Sequence, residues 1–133
     1  RREEVFFQPD DVGRQMRVVR MPGDGNCLFH SLAYPRGHHR MVRACIVRHI
    51  ARNWESDFRP FVVAEERGGY VRGMIRPGTW GDELVLRAFS DLARRRVRVY
   101  TPQHWTVVAE YGRDFETTVD VLFSGCHYDV LVP

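Results

Sequence analysis

The chain has 133 residues, 44% apolar and 28% charged, with a formal net charge of +3 from 20 basic and 17 acidic side chains. That is one domain's worth of chain at an ordinary globular balance, which excludes intrinsic disorder and fibrous repeats, and its charge is too even to mark a nucleic-acid binder. Apolar runs end after a few residues, as at Phe61-Val62-Val63-Ala64, so no segment reads as a membrane span, and Arg1-Arg2-Glu3-Glu4 opens no secretion signal.

Residues 1–14 are polar and punctuated by Gly and Pro, an arm expected to pack on the single domain 1–133. The absence of an initiator Met marks the chain as an expected fragment of a longer protein. Met16 to Met21 alternates as a short strand and stops at Pro22-Gly23. Cys27 to Ala33 is predicted as a short helix. Between Arg36 and Trp54 the apolar positions Met41, Val42, Cys45, Ile46, Ile50 and Trp54 follow a helical period, with Arg40, Arg43, Arg48 and Arg52 on a wet face. Residues 58–67 are predicted helical with Pro60 in the first turn, Gly68-Gly69 as a break, and Tyr70 to Ile75 as another helical turn. The helix 82–94 is clearer. Asp82 caps it, Leu84, Val85, Ala88, Phe89 and Leu92 form its stripe, and Arg94-Arg95-Arg96 complements its C-terminal dipole. The period then changes to two. Val97/Val99, Trp105/Val107/Ala109, Val119/Val121/Phe123 and Tyr128/Val130/Val132 read as four strands, the last two joined by a Ser124-Gly125 hairpin turn. Helices first and strands last argue for an α+β fold.

Two stretches carry chemistry. In Gly23-Asp24-Gly25-Asn26-Cys27, glycines let the backbone turn so that successive N–H groups face one concavity suited to an anionic oxygen. Cys27 at a helix start feels the positive end of the dipole, which favours its thiolate. A Gly-rich turn before a buried free thiol explains that stretch equally well. In Cys126-His127-Tyr128-Asp129, residues i and i+2 of a strand share a face at roughly 6.5–7 Å. Asp129 can therefore hold one ring nitrogen of His127 and leave the other for a thiol. Cys126, on the opposite face, and Cys45, in its helix stripe, are expected to be packed in the core. His30, His38, His39, His49 and His104 have surface or local structural roles by the same reasoning. No Cys-x-x-Cys pair occurs among the three cysteines, arguing against zinc. A phosphate loop fails for want of Gly-Lys-Ser/Thr, so no cofactor is expected. An odd cysteine count in a chain large enough to build a core points to a reducing, intracellular setting. Arg94-Arg95-Arg96 with Arg98 is explained by a helix end and a wet strand face without nucleic acid.

Together these stretches resemble the ovarian tumour (OTU) family of papain-like cysteine deubiquitinases. The box Gly23-Asp24-Gly25-Asn26-Cys27-Leu28-Phe29-His30-Ser31 is similar to the family's nucleophile motif, Trp80-Gly81-Asp82-Glu83-Leu84 to its middle signature, and His127-Tyr128-Asp129 to its closing box. The order spans residues 16–133, at the compact end seen in viral and bacterial members. The resemblance implies a papain-like α+β fold with a small, mostly antiparallel sheet of about five strands packed between helices. It implies a monomer that hydrolyses the isopeptide bond after the Gly-Gly end of ubiquitin or a ubiquitin-like protein, in the cytoplasm (the host's, for a viral or bacterial effector), without nucleic acid or membrane as partner. Cys27 would be the nucleophile, His127 the general base and then acid, and Asp129 the residue orienting His127. Asp24, Gly25 and Asn26 would form the oxyanion loop. Trp80, Gly81 and Asp82 would line a narrow channel for the ubiquitin tail, with Glu65, Glu66, Asp82 and Glu83 as candidates to receive its arginines. The position after Trp80-Gly81 is commonly a second Gly in the family and is Asp82 here. Two other readings are a ubiquitin-binding module that does not cut, and a protease that processes its own parent chain. All 20 basic residues are Arg. Scarce Asn and Ile attribute this to GC-rich coding; absence of ubiquitin-acceptor lysines is the sharper alternative.

Overall fold

The structure, a computed structural model, describes residues 4–7, 15–62, 66–103 and 105–133. The chain begins with β1 (Glu4–Phe7) and β2 (Met16–Val19), an antiparallel pair. Part of the segment expected to be an arm thus adds a strand. Residues 1–3 and 8–14, the rest of it, lie outside the described residues, as do His104, Glu65 and the middle of the predicted helix 58–67.

α1 (Cys27–Ala33) starts after Gly25, whose φ of +85° makes the sharp entry possible. α2 (His39–Arg52) follows Pro35 and a left-handed Gly37, so it begins later than its polar pattern implied. Its inner face is Arg43, Ile46, Val47 and Ile50, while Cys45 and Met41 are exposed. The expected stripe was therefore rotated, and the expectation of a core Cys45 is corrected. The helix then widens into a π-helical turn, Trp54–Phe58, which sinks both terminal rings into the core. A 3-10 turn, Arg59–Phe61, carries Pro60 at its start and ends at the extended Val62.

α3 (Arg67–Met74) runs through Gly68-Gly69, which the sequence reading took as a break. Tyr70 and Met74, one turn apart, are both buried, and that packing outweighs the weak helix propensity of two glycines, about 1 kcal/mol each. α4 (Glu83–Ala93) is capped as predicted: Asp82 Oδ1 accepts from the Val85 N–H at 3.2 Å. It stops at Arg94 in the left-handed conformation, a C-terminal cap with φ of 55°. Among the described residues no helix is long and apolar enough to cross a membrane.

The strands β3 (Arg96–Tyr100), β4 (Val107–Tyr111), β5 (Thr118–Phe123) and β6 (Tyr128–Val132) follow the predicted period of two. Trp105 lies in the turn before β4, with φ of 51°, rather than in the strand. All belong to one six-stranded sheet of order β1-β2-β6-β5-β3-β4, antiparallel except for the parallel pair β3 and β5. Arg98 is not on a wet face: it crosses to Asp120 on β5 at 2.8 Å.

Val97, Val99 and Val121 face the helices and pack with Leu84, Val85 and Ala88 of α4 and with α2. Val19 and Val130 carry α1 through Met21 and Cys27. The other face has a smaller cluster of Met16, Val18, Tyr100, Leu122 and Leu131, which contains no helix residue. Among the described residues, the helices named above pack on the first of these faces. This arrangement brings the start of α1 against the start of β6, two segments a hundred residues apart in sequence.

Candidate active site

Cys27 opens α1 and is 9% exposed, wedged against Val19, Met21 and Val130. The N–H of Tyr128 donates to its Sγ at 3.3 Å, so the peptide joining His127 to Tyr128 lies against the sulfur. A helix start by itself favours the thiolate, and the surroundings of Cys27 reverse that balance. Burial pushes the Cys27 thiol above its ordinary value. The N–H groups of Tyr128, Leu28 and Cys27 itself pull it down, and the Asp129 carboxylate pushes it further up. A raised value means that the thiolate fraction at a given pH is below that of a free cysteine. The rate of Cys27 alkylation by iodoacetamide, followed at its peptide by mass spectrometry, is therefore expected to keep rising through pH 9. A plateau reached below pH 8 would mean that a neighbouring cation already holds the thiolate.

His127 closes the β5–β6 hairpin, its carbonyl accepting from the Ser124 N–H at 2.9 Å beside a left-handed Gly125. Its Nε2 meets Asp129 Oδ1 at 2.8 Å, as the i, i+2 argument required. This leaves Nδ1 as the second ring nitrogen. Asp129 is fully buried, and the same Oδ1 accepts from the Met21 N–H at 2.8 Å, while Arg20 stands 3.7 Å from Oδ2. The two residues that follow β2, Arg20 and Met21, thus hold the carboxylate from beside the neighbouring strand.

In the loop before α1, Asp24 Oδ1 accepts from the Asn26 N–H at 3.0 Å, and Asp24 Oδ2 lies 3.4 Å from His30 Nε2. Hydrogen bonds from Asn26 and the His30 ring keep the Asp24 carboxyl below its usual range, although its partial burial opposes them most strongly. Asn26 turns its side chain inward, where Oδ1 accepts from Arg43 Nη2 and from the Gly78 N–H, each at 2.7 Å. A Cβ at Gly25 would run into the carbonyl of Gly78. The Asn26 N–H is therefore committed to Asp24 and is not free to receive an oxyanion.

From the sulfur a cleft of about 250 Å³ runs between Trp80, Gly81 and Asp82 on one side and Phe123, Gly125, Cys126 and Tyr128 on the other. Trp80 is 64% exposed at its rim. Gly81 is pressed on α1, where a Cβ would strike Leu28 and Phe29. Asp82, the departure from the second Gly, is engaged rather than free: its Oδ1 caps α4 and also accepts from the Tyr70 hydroxyl at 2.9 Å. Phe123 and Tyr128 stack at 4.7 Å, and burial pushes the Tyr128 phenol up to about 12, so it stays protonated. Among the described residues no three His, Cys, Asp or Glu side chains converge as a metal site.

The family model of the OTU-like cysteine proteases matches residues 22–124, which include Cys27 and the Trp80-Gly81-Asp82 segment. The chain belongs to that family. A curated relative, OVARIAN TUMOR DOMAIN-containing deubiquitinating enzyme 10 of Arabidopsis thaliana, is 36% identical over 121 residues, covering 85% of this chain and 33% of the plant protein. The chain spans about a third of the length of the first plant relatives it matches. Among solved structures, an OTU domain in complex with ubiquitin superposes with a TM-score of 0.81 at 21% identity, covering 95% of this chain and 75% of that one. The viral OTU domain protease of Taggert virus follows at 0.76 and 25% identity, with coverage of 96% and 84%.

In this OTU domain the structure brings Cys27, the His127 backbone and Asp129 to one place, and sets Asp24, Gly25 and Asn26 immediately before the sulfur. Glu83 is exposed and paired with Arg87, and Glu66 is exposed. Cys126 is exposed on the cleft wall instead of in the core, because it sits in the hairpin turn, where strand alternation does not apply. Sequence reasoning missed the second wall and it missed Arg43. The signal for Arg43 was present: it falls on the 43, 46, 47, 50 stripe of an otherwise apolar face.

Proposed function

We propose that this OTU domain is a thiol-dependent deubiquitinase that hydrolyses the isopeptide bond after the C-terminal Gly-Gly of ubiquitin or a ubiquitin-like modifier. The observation that carries this reading is the sulfur of Cys27 held by the Tyr128 N–H, beside a His127 whose Nε2 is anchored on a buried Asp129. With Nε2 occupied, Nδ1 of His127 takes the Cys27 proton. The thiolate attacks the glycine carbonyl, and the tetrahedral oxyanion is received by the loop Asp24-Gly25-Asn26-Cys27. Because the Asn26 N–H is used by Asp24, the Gly25 and Cys27 N–H groups are left for this task. The C–N bond breaks as His127 returns the proton to the lysine amine. Water, deprotonated by His127, then cleaves the thioester and restores the thiol.

Trp80, Gly81 and Asp82 face Phe123 and Tyr128 across a narrow cleft, which suits a tail without side chains. Asp82 contributes negative charge there, which complements arginines of an incoming tail. Ubiquitin conjugates as substrates agree with the names of the plant relatives and with the ubiquitin complex of the structural neighbour. Among the described residues the three cysteines are free thiols, in keeping with a reducing, cytoplasmic setting.

The test is a ubiquitin probe bearing a C-terminal vinyl-type electrophile together with a panel of diubiquitins. Adduct formation at Cys27 and cleavage of at least one linkage are expected. Reversible binding with neither result would make the domain a ubiquitin-binding module.

A further inference from the structure

Arg43 has no part in the chemistry above, yet its side chain is buried in α2 with 3% exposure and faces the site. Its guanidinium spans three segments. Nη2 donates to Asn26 Oδ1 at 2.7 Å, Nη1 donates to the Met74 carbonyl at the end of α3 at 2.8 Å, and Cζ lies 3.9 Å over the Phe29 ring of α1. Asn26 Oδ1 is shared with the Gly78 N–H, and Gly78 in turn is the surface on which Gly25 rests. The hydrogen-bond acceptors of the guanidinium, Asn26 Oδ1, the Met74 carbonyl and, at 3.9 Å, the Met74 sulfur, are all neutral, and the Asp24 carboxylate favours the cation without a direct ion pair. Burying a cation on neutral hydrogen-bond acceptors, with only a distant carboxylate to offset its desolvation, is unfavourable for packing alone, and an apolar side chain of that length would fill the same space. The planar fork supplies fixed directions to two acceptors at once, which an apolar side chain or a lysine cannot.

We propose that Arg43 is a positioning residue for the reaction. Through Asn26 and Gly78 it locks the Asp24–Cys27 loop in the conformation that presents Gly25 and Cys27 N–H groups to the oxyanion. It also ties that loop to the turn carrying Trp80. The proposal rests on the hydrolase reading.

Its test separates steps that need the oxyanion loop from one that does not. Hydrolysis of a fluorogenic ubiquitin C-terminal amide passes through a tetrahedral oxyanion, whereas alkylation of Cys27 by iodoacetamide is a displacement without one. For Arg43→Met, kcat is expected to fall about 10- to 100-fold, with KM and the Cys27 alkylation rate within about threefold of wild type. Arg43→Lys recovers part of the loss. Asn26→Ala shows the same split, and the double variant is no slower than the worse single one, since both act through one link. Equal losses in hydrolysis and alkylation, or a kcat within about twofold of wild type, would overturn the proposal. If Arg43→Met does not fold, Asn26→Ala decides on the same readouts. A wild-type domain inert on every ubiquitin substrate would overturn the hydrolase reading first, and the positioning role with it.

Discussion

Replacement of Cys27 by Ala is expected to lower hydrolysis of ubiquitin conjugates to background, a loss of at least about four orders of magnitude, while ubiquitin conjugates still bind. The sulfur lines the cleft, but it is buried on Val19, Met21 and Val130 and offers little surface to a folded partner. Binding should therefore depend on the rim, where Trp80 is exposed, and not on the thiol. Cys27→Ser supplies the control for folding, since a hydroxyl still accepts from the Tyr128 N–H that Sγ engages at 3.3 Å. Turnover measured with diubiquitin and affinity measured by titration decide the matter. Residual cleavage near the original rate would move the nucleophile to another residue. Cys126, exposed on the same cleft, is the one to examine through Cys126→Ser.

Asp129→Ala is expected to slow kcat by about 10²- to 10⁴-fold without abolishing it, because His127 still samples the productive orientation for part of the time. Asp129→Asn should be milder than Asp129→Ala, for a reason specific to this site. One oxygen, Oδ1, accepts from both His127 Nε2 and the Met21 N–H at 2.8 Å. An amide placed here must keep its oxygen toward Met21, since the reverse orientation would set two donors against each other. The oxygen then also faces Nε2 and preserves the tautomer that leaves Nδ1 as acceptor. What Asn loses is the charge that stabilises the imidazolium. Equal damage from the two variants, in kcat measured with a fluorogenic ubiquitin amide, would show that the Met21 contact does not govern the orientation.

The candidate site was legible to the extent that its signals are local. Glycines before a cysteine, and a histidine two residues from an aspartate, are patterns that short-range backbone geometry converts directly into placement. The Asp82 cap and the period-two strands were readable for the same reason. What failed were the inferences that treated a residue type as its own environment. Arg43 was counted as solvent-facing because it is charged, and Cys45 and Cys126 as buried because cysteines are commonly so. Gly68-Gly69 reads as a break on propensity alone, and the buried Tyr70 and Met74 override it. Cys27 ionisation was judged from the helix start alone, and desolvation reversed the sign.

The amino-acid sequence by itself determined which side chains have reactive chemistry, which backbone turns precede them, and that His127, just before a strand, lies two residues from Asp129 within it. Only the tertiary structure decided that the start of α1 meets the start of β6, that β3 and β5 run parallel, and that a buried guanidinium reaches the loop from α2. The division has a physical cause. Periodicity and turn chemistry act over a few residues, whereas these three contacts join segments 101, 22 and 17 positions apart, and their directions are set by the packing of helices on one face of the sheet.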